Sequence, residues 1–293
     1  MFSQQLINAI SLGSVYALFA LGFTLIFGVL GVINLAHGAV FMMGSYVALL
    51  LVEHFALPIF PAFLLSMLVS GLIAVVIDFL VLRPLRARNA PHLAPMIATI
   101  GVAILVTNLM QGRMGAEVKR FPVGILPEDS LSFGELHITE LQIGIVLISL
   151  FLMVALWVMM KKTQLGRSLR AIAESPKAAA LLGIPVEKLF YFTSFLAGAL
   201  GGAAGVLVGL SFNAISPFMG QPMLHKGIAV IILGGMGDIR GALIGGLFLG
   251  FAEVFSVAYL SSDFRDAVAF GLLFLILLIK PSGMFGKILE RKA

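Results

Sequence analysis

Cysteine is absent from this chain, tryptophan occurs once, and only 11% of its residues are charged. The first absence excludes a disulfide framework and any thiolate metal site. The shortage of charge excludes more. A soluble domain carries about 25% charged residues, and a chain this poor in polar side chains cannot cover a globule, so its solvent is lipid. A hydrophobic content of 60% and a mean hydropathy of +1.09 agree. A basic leader is missing too: MFSQQLINAI runs straight into apolar sequence, so the first run is expected as a retained helix. No GxxxxGK[ST] stretch is present to cradle nucleotide phosphates, and Gly286-Lys287 lacks the upstream glycine spacing. The histidines at 37, 54, 92, 137 and 225 are scattered, with no pair at metal-ligand spacing. No Ser-His-Asp set or catalytic carboxylate pair can be argued, so neither an enzyme nor a metal centre is expected. The formal charge of +5 sits between apolar runs instead of on one polar face. The positive-inside rule accounts for that placement without nucleic acid as a partner.

What is present is a succession of apolar runs. At about 20 residues per crossing they predict an all-α, polytopic transmembrane helical bundle of about nine crossings (range 8–10), with broken or short helices, over 1–293 as a single domain. Spans are expected at 5–30, to 51, from 58 or 61 to 82, and at 93–110, 141–160 and 189–210. A short or broken crossing follows at 225–242, then spans at 243–260 and 267–279. The loop 83–91 carries Arg83, Arg86 and Arg88 and is assigned to the cytoplasm, as is the basic tail 280–293. The loop at 113–140 sets Arg113, Lys119 and Arg120 against five acids and is assigned outside, with the N-terminus. The glycines at 198, 201, 202, 205 and 209 give one span a small-residue face for close helix approach. Glycine-interrupted stretches at 28–38 and 232–241 each lead through a Gly-Ala pair into a span. Such paired broken segments point to a transport path at a repeat interface.

One polar, helix-forming interruption stands out, Thr163 to Lys188, entered from Lys161-Lys162. Leu165, Leu169 and Ile172 recur at helical spacing while Arg167 and Arg170 point elsewhere. Ser175 followed by Pro176 reads as an N-cap and N1 pair, and Gly183 as a C′ terminator. Two short helices are therefore expected, the second with Ala178, Leu181 and Leu182 as its apolar side. Such helices either dock a partner or lie on the anionic membrane surface.

Several polar residues inside apolar sequence are candidates for a translocation path, each with a structural alternative. Asn34 and His37 either expose polar groups to the path or cap a helix terminus. Glu253, near the middle of a span, costs roughly 2.5–3.5 kcal/mol to insert unless it faces protein or water. Its alternatives are a partner such as Asn8, Asn108 or an arginine near a helix end, or a proton-coupling role. Thr99, Thr107 and Asn108 either line a path or bond between helices. Asp78 is expected to pair with Arg83, and Asp238 with Arg240 locally or at a subunit interface.

The string KAAALLG (177–183) resembles the EAA-x-x-x-G loop of ABC importer membrane subunits, with Lys177 where that family usually has Glu. The longer strings GVLGVINLAHGAVFMMGSYVAL, GRSLRAIAESPKAAALLGI and GGMGDIRGALIGGLFLG, in this order along the chain, resemble the branched-chain amino-acid (LIV-type) permeases of that superfamily. Urea and short-amide permeases share them. The resemblance implies a permease subunit of the bacterial inner membrane. It implies a second homologous permease, two ATPase subunits that hold ATP-Mg, and an extracytoplasmic substrate-binding protein as partners. No cofactor is implied on this chain. It also implies that the 163–188 helices couple to the ATPases, through Arg167, Arg170, Glu174, Pro176, Ala178, Ala179, Leu182 and Gly183. The alternative class is a carrier working alone on an ion gradient through Glu253 or His37, which has no need of capped cytoplasmic helices.

Overall fold

The computed structural model describes residues 2–91, 93–122, 124–125, 130–133, 136–280 and 283–285. Seven helices are long and apolar enough to cross a bilayer. They are α1 (Phe2–Leu30), α2 (His37–Phe55), α3 (Ile59–Ile77) with its continuation, α5 (Leu93–Met114), α6 (Glu140–Lys162), α9 (Val186–Phe212) and α11 (Ile239–Tyr259). Two shorter apolar helices, α10 (Gly220–Gly234) and α12 (Arg265–Ile279), bring the apolar helices to nine among the described residues. Between α6 and α9 lie the short helices α7 (Gln164–Glu174) and α8 (Pro176–Leu181). Basic residues of the expected tail after 285 lie outside the described residues.

These helices are apolar on every side, which a membrane helix can be and a surface helix of a soluble protein cannot. What sorts them is packing. The core of α1 is 83% buried, against α11, α9, α6 and α10, and α9 packs on α2 and α3. By contrast α5 is 11% buried and α6 28%, so these two stand at the periphery with large apolar side chains outward. Where α3 meets α2, Ser66 donates to the Gly44 carbonyl (2.7 Å) and ties the two helices together.

The structure separates two ends. Gln4 exchanges hydrogen bonds with the backbone of His137 (2.8 and 2.9 Å), which puts the N-terminus beside the loop assigned outside. At the other end, Glu187 at the start of α9 meets Arg86 (3.6 Å) and Arg83 (4.0 Å). The positive-inside rule assigns the cytoplasm to this basic end as an expectation.

Two expectations are corrected. The segment 83–91 is not all loop: α3 passes through a π-turn (Asp78–Leu82) into α4 (Arg83–Ala87), and the helix ends only at Arg88. Residues with helical propensity simply continue the span beyond the hydrocarbon. The outer loop also contains a small antiparallel hairpin, β1 (Ser130–Phe133) with β2 (Leu136–Thr139), inside an otherwise helical chain. Thr139 then opens α6 with a capping box to Gln142.

Helices without hydrophobic drive must gain their attraction from close contact, and α2 meets α9 at Gly44 and Gly202. A Cβ on Gly44 would lie 2.6 Å from the Gly202 oxygen and 2.9 Å from its carbonyl carbon, both backbone atoms that cannot rotate away. Gly44→Ala is therefore expected to destabilise the protein by about 1–3 kcal/mol, the usual cost of overpacking, read as a lower thermal midpoint in detergent. The control is Gly101→Ala on α5, where a Cβ meets nothing within 4 Å. It should leave the midpoint unchanged or raise it, since alanine favours a helix.

Candidate functional site

Inside a bilayer each backbone N–H needs an internal partner, so an interrupted helix there must be supported locally. α1 ends at Leu30, and Gly31, with φ of 69°, turns the chain back into the bundle. The irregular stretch climbs until His37, whose Nε2 lies 3.4 Å from the Phe19 carbonyl, well inside α1. Asn34 Oδ1 accepts from the Ala36 N–H (3.0 Å), and the Asn34 carbonyl accepts from His37 N–H (3.2 Å). Thr99 on α5 accepts from the Leu35 N–H (3.1 Å) and donates to the Met96 carbonyl (3.0 Å). Of the expected path residues, Asn34 and Thr99 thus act as caps for the break. His37 fills a slot between α1 and α9, stacked on Phe19 with ring centroids 4.7 Å apart and edge-on to Phe23 at 5.7 Å. A Cβ on Gly22 would meet the His37 ring at 3.0 Å and one on Gly201 at 2.8 Å, so only glycine admits the imidazole there. All three side chains are buried in this conformation.

A second break follows α9. Asn213 adopts a left-handed conformation (φ 44°), and its side chain accepts from the Phe121 N–H (2.9 Å) of the outer loop. Lys119 and Ile215 pair through two 2.8 Å backbone bonds. α10 then starts at Gly220, packed against Gly38 in the first turn of α2. Between the first turns of α2 and α10 and one face of α5 lies a cleft of about 480 Å³. Ile104, Leu224 and Ile228 give it apolar walls, while Thr107, Asn108, Gln221 and His225 supply polar groups. Thr107 and Asn108 are the expected path residues that line it. The Asn108 amide nitrogen donates to the Ile104 carbonyl (2.8 Å).

Glu253 is fully buried on α11 and does not face the cleft. Its Oε1 lies 2.7 Å from Lys226 Nζ on α10 and 3.0 Å from Arg265 Nε at the start of α12. Its Oε2 accepts from the Tyr16 hydroxyl of α1 (2.7 Å), which in turn accepts from Lys226 (3.0 Å). Asp266 stands 3.8 Å from the same ammonium. Four helices therefore meet at one buried carboxylate. The expected arginine near a helix end is Arg265; Lys226 and Tyr16 were missed. A lysine within an apolar segment opposite a lone buried acid was the available signal.

At the basic end, α7 is capped by Thr163, whose hydroxyl accepts from Gly166 N–H (3.1 Å), and buries Gly166, Leu169 and Ile172 against the bundle. Arg170 donates to the Met160 carbonyl at the end of α6. Ser175 caps α8 by accepting from Ala178 N–H (3.2 Å), Pro176 opens it, and Gly183 ends it with φ of 79°. The apolar side of α8 is not as expected. Ala179 is the residue that packs inward, because Leu181 and Leu182 point away from the bundle, 90% and 80% exposed. Leu165 is also half exposed, and Arg167, Glu174, Pro176 and Ala178 lie on the same open surface.

The two expected local ion pairs are also corrected. Asp78 pairs with Arg86, two turns on, in a bidentate contact (2.6 and 3.2 Å), because the helix continues through 83 and brings residue 86 round. Asp238 does not pair with the Arg240 guanidinium; its Oδ1 caps α11 by accepting from the N–H groups of Arg240 (2.7 Å) and Gly241 (3.1 Å).

Comparison with known proteins agrees with this architecture. The family described as "Branched-chain amino acid transport system / permease component" matches residues 5–277. The high-affinity branched-chain amino acid transport system permease protein BraD of Pseudomonas aeruginosa is 36% identical over 98% of this chain and 96% of its own length. The LivH permease protein of the corresponding system of Escherichia coli K12 is 35% identical over the same shares. Among solved structures, PsaBC from Streptococcus pneumoniae in complex with Fab superposes with a TM-score of 0.54 at 13% identity, covering 97% of this chain and 93% of that one, which speaks to the fold alone. The chain belongs to the family of branched-chain amino acid transport permease components and is a multi-pass, membrane-spanning permease subunit.

Proposed function

We propose that this chain forms one side of the translocation unit of an ABC importer in the bacterial inner membrane. A second homologous permease completes the unit, two ATPase subunits that hold ATP-Mg drive it, and an extracytoplasmic binding protein delivers substrate. The observation that carries the reading is the pair α7–α8: two capped helices at the basic end, one of which turns Leu181 and Leu182, 90% and 80% exposed, away from the bundle. An exposed leucine pair on a short capped helix fits a protein partner better than water. ATP-driven closure of the partners would move these helices and open the bundle alternately to each side.

The substrate class follows from the cleft and the relatives together. Its walls of Ile104, Leu224 and Ile228 suit an aliphatic side chain, and Asn108, Gln221 and His225 offer hydrogen bonds to an amino acid's charged end. Branched-chain amino acids fit this better than urea, which carries no aliphatic group, or short amides, whose alkyl groups are smaller. An ion-driven carrier is disfavoured because Glu253 is held by two cations and a tyrosine and does not open onto the cleft.

Proteoliposomes holding the complete transporter are expected to take up leucine with ATP and binding protein, and to show no uptake on a proton gradient alone. Ala178→Glu, or Leu182→Asp, should lower uptake at least about tenfold while the protein remains inserted and assembled. Full transport on the proton gradient, or normal transport by both variants, would sink the ABC reading of these helices.

A second measurement addresses Glu253. Glu253→Leu leaves Lys226, 13% exposed, without its main counter-charge. Removing one partner of a buried pair costs about 3–5 kcal/mol, so the thermal midpoint should fall sharply. Glu253→Leu with Lys226→Met should recover much of that loss and retain ATP-driven uptake. A folded double variant that has lost transport would return Glu253 to the coupling role.

A further inference from the structure

A second cleft of about 380 Å³ opens at the cytoplasmic end, between α1, α6, α7 and the turn that precedes α11. Lys161, Arg170 and Arg240 surround it, and among the described residues none of them pairs with a carboxylate. The one acid on the lining, Asp238, already spends its Oδ1 on the N-terminus of α11. On the wall formed by α1, the Thr24 hydroxyl is buried, 2% exposed, and has no hydrogen-bond partner. Three cations without a carboxylate partner, against a single carboxylate, line one space together with the residue that carries the unpaired hydroxyl, which is the donor set an oxyanion needs. Bound there, a phosphate would also satisfy a hydroxyl otherwise desolvated without return.

The source of the oxyanion follows from what leads to the cleft. On α6, Leu147, Phe151, Val154 and Val158 are 40–71% exposed and form one helical face, turned to lipid. That face descends to the chain's only tryptophan, Trp157, and one turn later to Lys161, both on the cleft. Tryptophan followed by lysine at the end of a span marks the headgroup level. Leu25 and Leu169 add apolar wall beneath the cations. A soluble phosphate would need no such approach, whereas a phospholipid needs an apolar track for its chains and cations for its head, and basic pockets between helices on the cytoplasmic side have this chemistry.

We propose that this cleft binds the phosphate of an anionic phospholipid from the inner leaflet. Lys161 and Arg240 contact the phosphate, with Arg170 behind them, and Thr24 donates to it or to the glycerol ester. Its acyl chains run up the exposed face of α6. The lipid so held bridges α7 to the turn before α11, adding an adjustable contact between the cytoplasmic helices and the bundle. This assignment stands on the cleft and does not depend on which solute is carried.

The test is retention of phosphatidylglycerol by the purified, delipidated full chain, measured by native mass spectrometry against phosphatidylcholine and against inorganic phosphate. Each cation near an anionic lipid is worth about fivefold in binding. Lys161→Ala with Arg240→Ala should therefore reduce phosphatidylglycerol retention roughly 25-fold, and Arg88→Ala, a basic residue away from the cleft, should leave it unchanged. Phosphatidylglycerol should raise the thermal midpoint of the wild type and not of the double variant. Both substituted side chains are exposed, so folding should survive; if it does not, near-isosteric Thr24→Val carries the same comparison. Equal retention by wild type and variant overturns the site. Equal retention of phosphatidylcholine shows that charge is not read, and equal stabilisation by inorganic phosphate assigns the cleft to a free ion; either result overturns the lipid.

Discussion

Lipid gives two helices no hydrophobic reason to associate, because the tails they leave are as apolar as the side chains they meet. This bundle depends on bringing backbones near enough for dispersion to replace that drive. Gly44 on α2 meets Gly202 on α9, and Gly13 on α1 meets the α11 backbone, where an added Cβ would lie 2.9 Å from Leu247 Cα. The same α1 packs against α9, α10 and α11, and α9 packs in turn on α2 and α3, so close contacts gather on these two helices. The peripheral helices lack this. On α5 and α6 the large apolar side chains face outward, and α5 touches little of the bundle beyond α2 and the π-turn.

Close packing leaves little room for polar backbone, so the two interruptions are informative. The chain between α1 and α2 satisfies its N–H groups with Asn34 and Thr99, and the chain between α9 and α10 is tied to the outer loop through Asn213 and the Lys119–Ile215 pair. Each interruption lets a helix begin inside the bundle. Because α2 and α10 both begin there and cross at Gly38 and Gly220, the larger apolar cleft forms beside their first turns. Interrupted backbone within membrane depth is tolerated where protein buries it or a cavity adjoins it, and both conditions hold here.

The spans were legible because hydropathy answers a one-dimensional question, whether about 20 successive residues are apolar. The short helices α7 and α8 were legible because Ser175, Pro176 and Gly183 act on their own neighbours. What sequence did not give is what depends on a third residue brought near by folding. The apolar spacing of α8 names Ala178, Leu181 and Leu182, whereas packing turns Ala179 inward. Asp78 finds Arg86 and not Arg83 because the helix runs on through a π-turn. Asn34 and Thr99 looked alike as polar residues in apolar runs, and Asn108 differs from them only in which way its helix faces. For Glu253 the arginine near a helix end was foreseeable in kind, whereas Lys226 and Tyr16 reach it across 27 and 237 residues of sequence.

In the proposed importer, force applied at α7 and α8 has two mechanical routes. α7 packs on α1, buries Leu169 and Ile172, and grips the end of α6 through Arg170, so it acts on the most buried of the long helices. α8 bears on α9 through a narrower contact, with Ala179 as its buried residue. α9 has 27 residues and no internal break, so at 1.5 Å per residue it is a rod of about 40 Å. Its far end is Asn213, which holds Phe121 of the outer loop beside the start of α10. A rod transmits tilt without needing a chain of rearranging side chains, and the small residues along α9 let it slide against α2 and α3 with few bulky groups in the way. Displacement at α8 would then appear at the outer end as movement of the 213–219 turn relative to α2. The buried Glu253 cluster resists the other possibility, that α10 and α12 move independently of α1 and α11, since separating them would strand a carboxylate that two cations and a tyrosine now share.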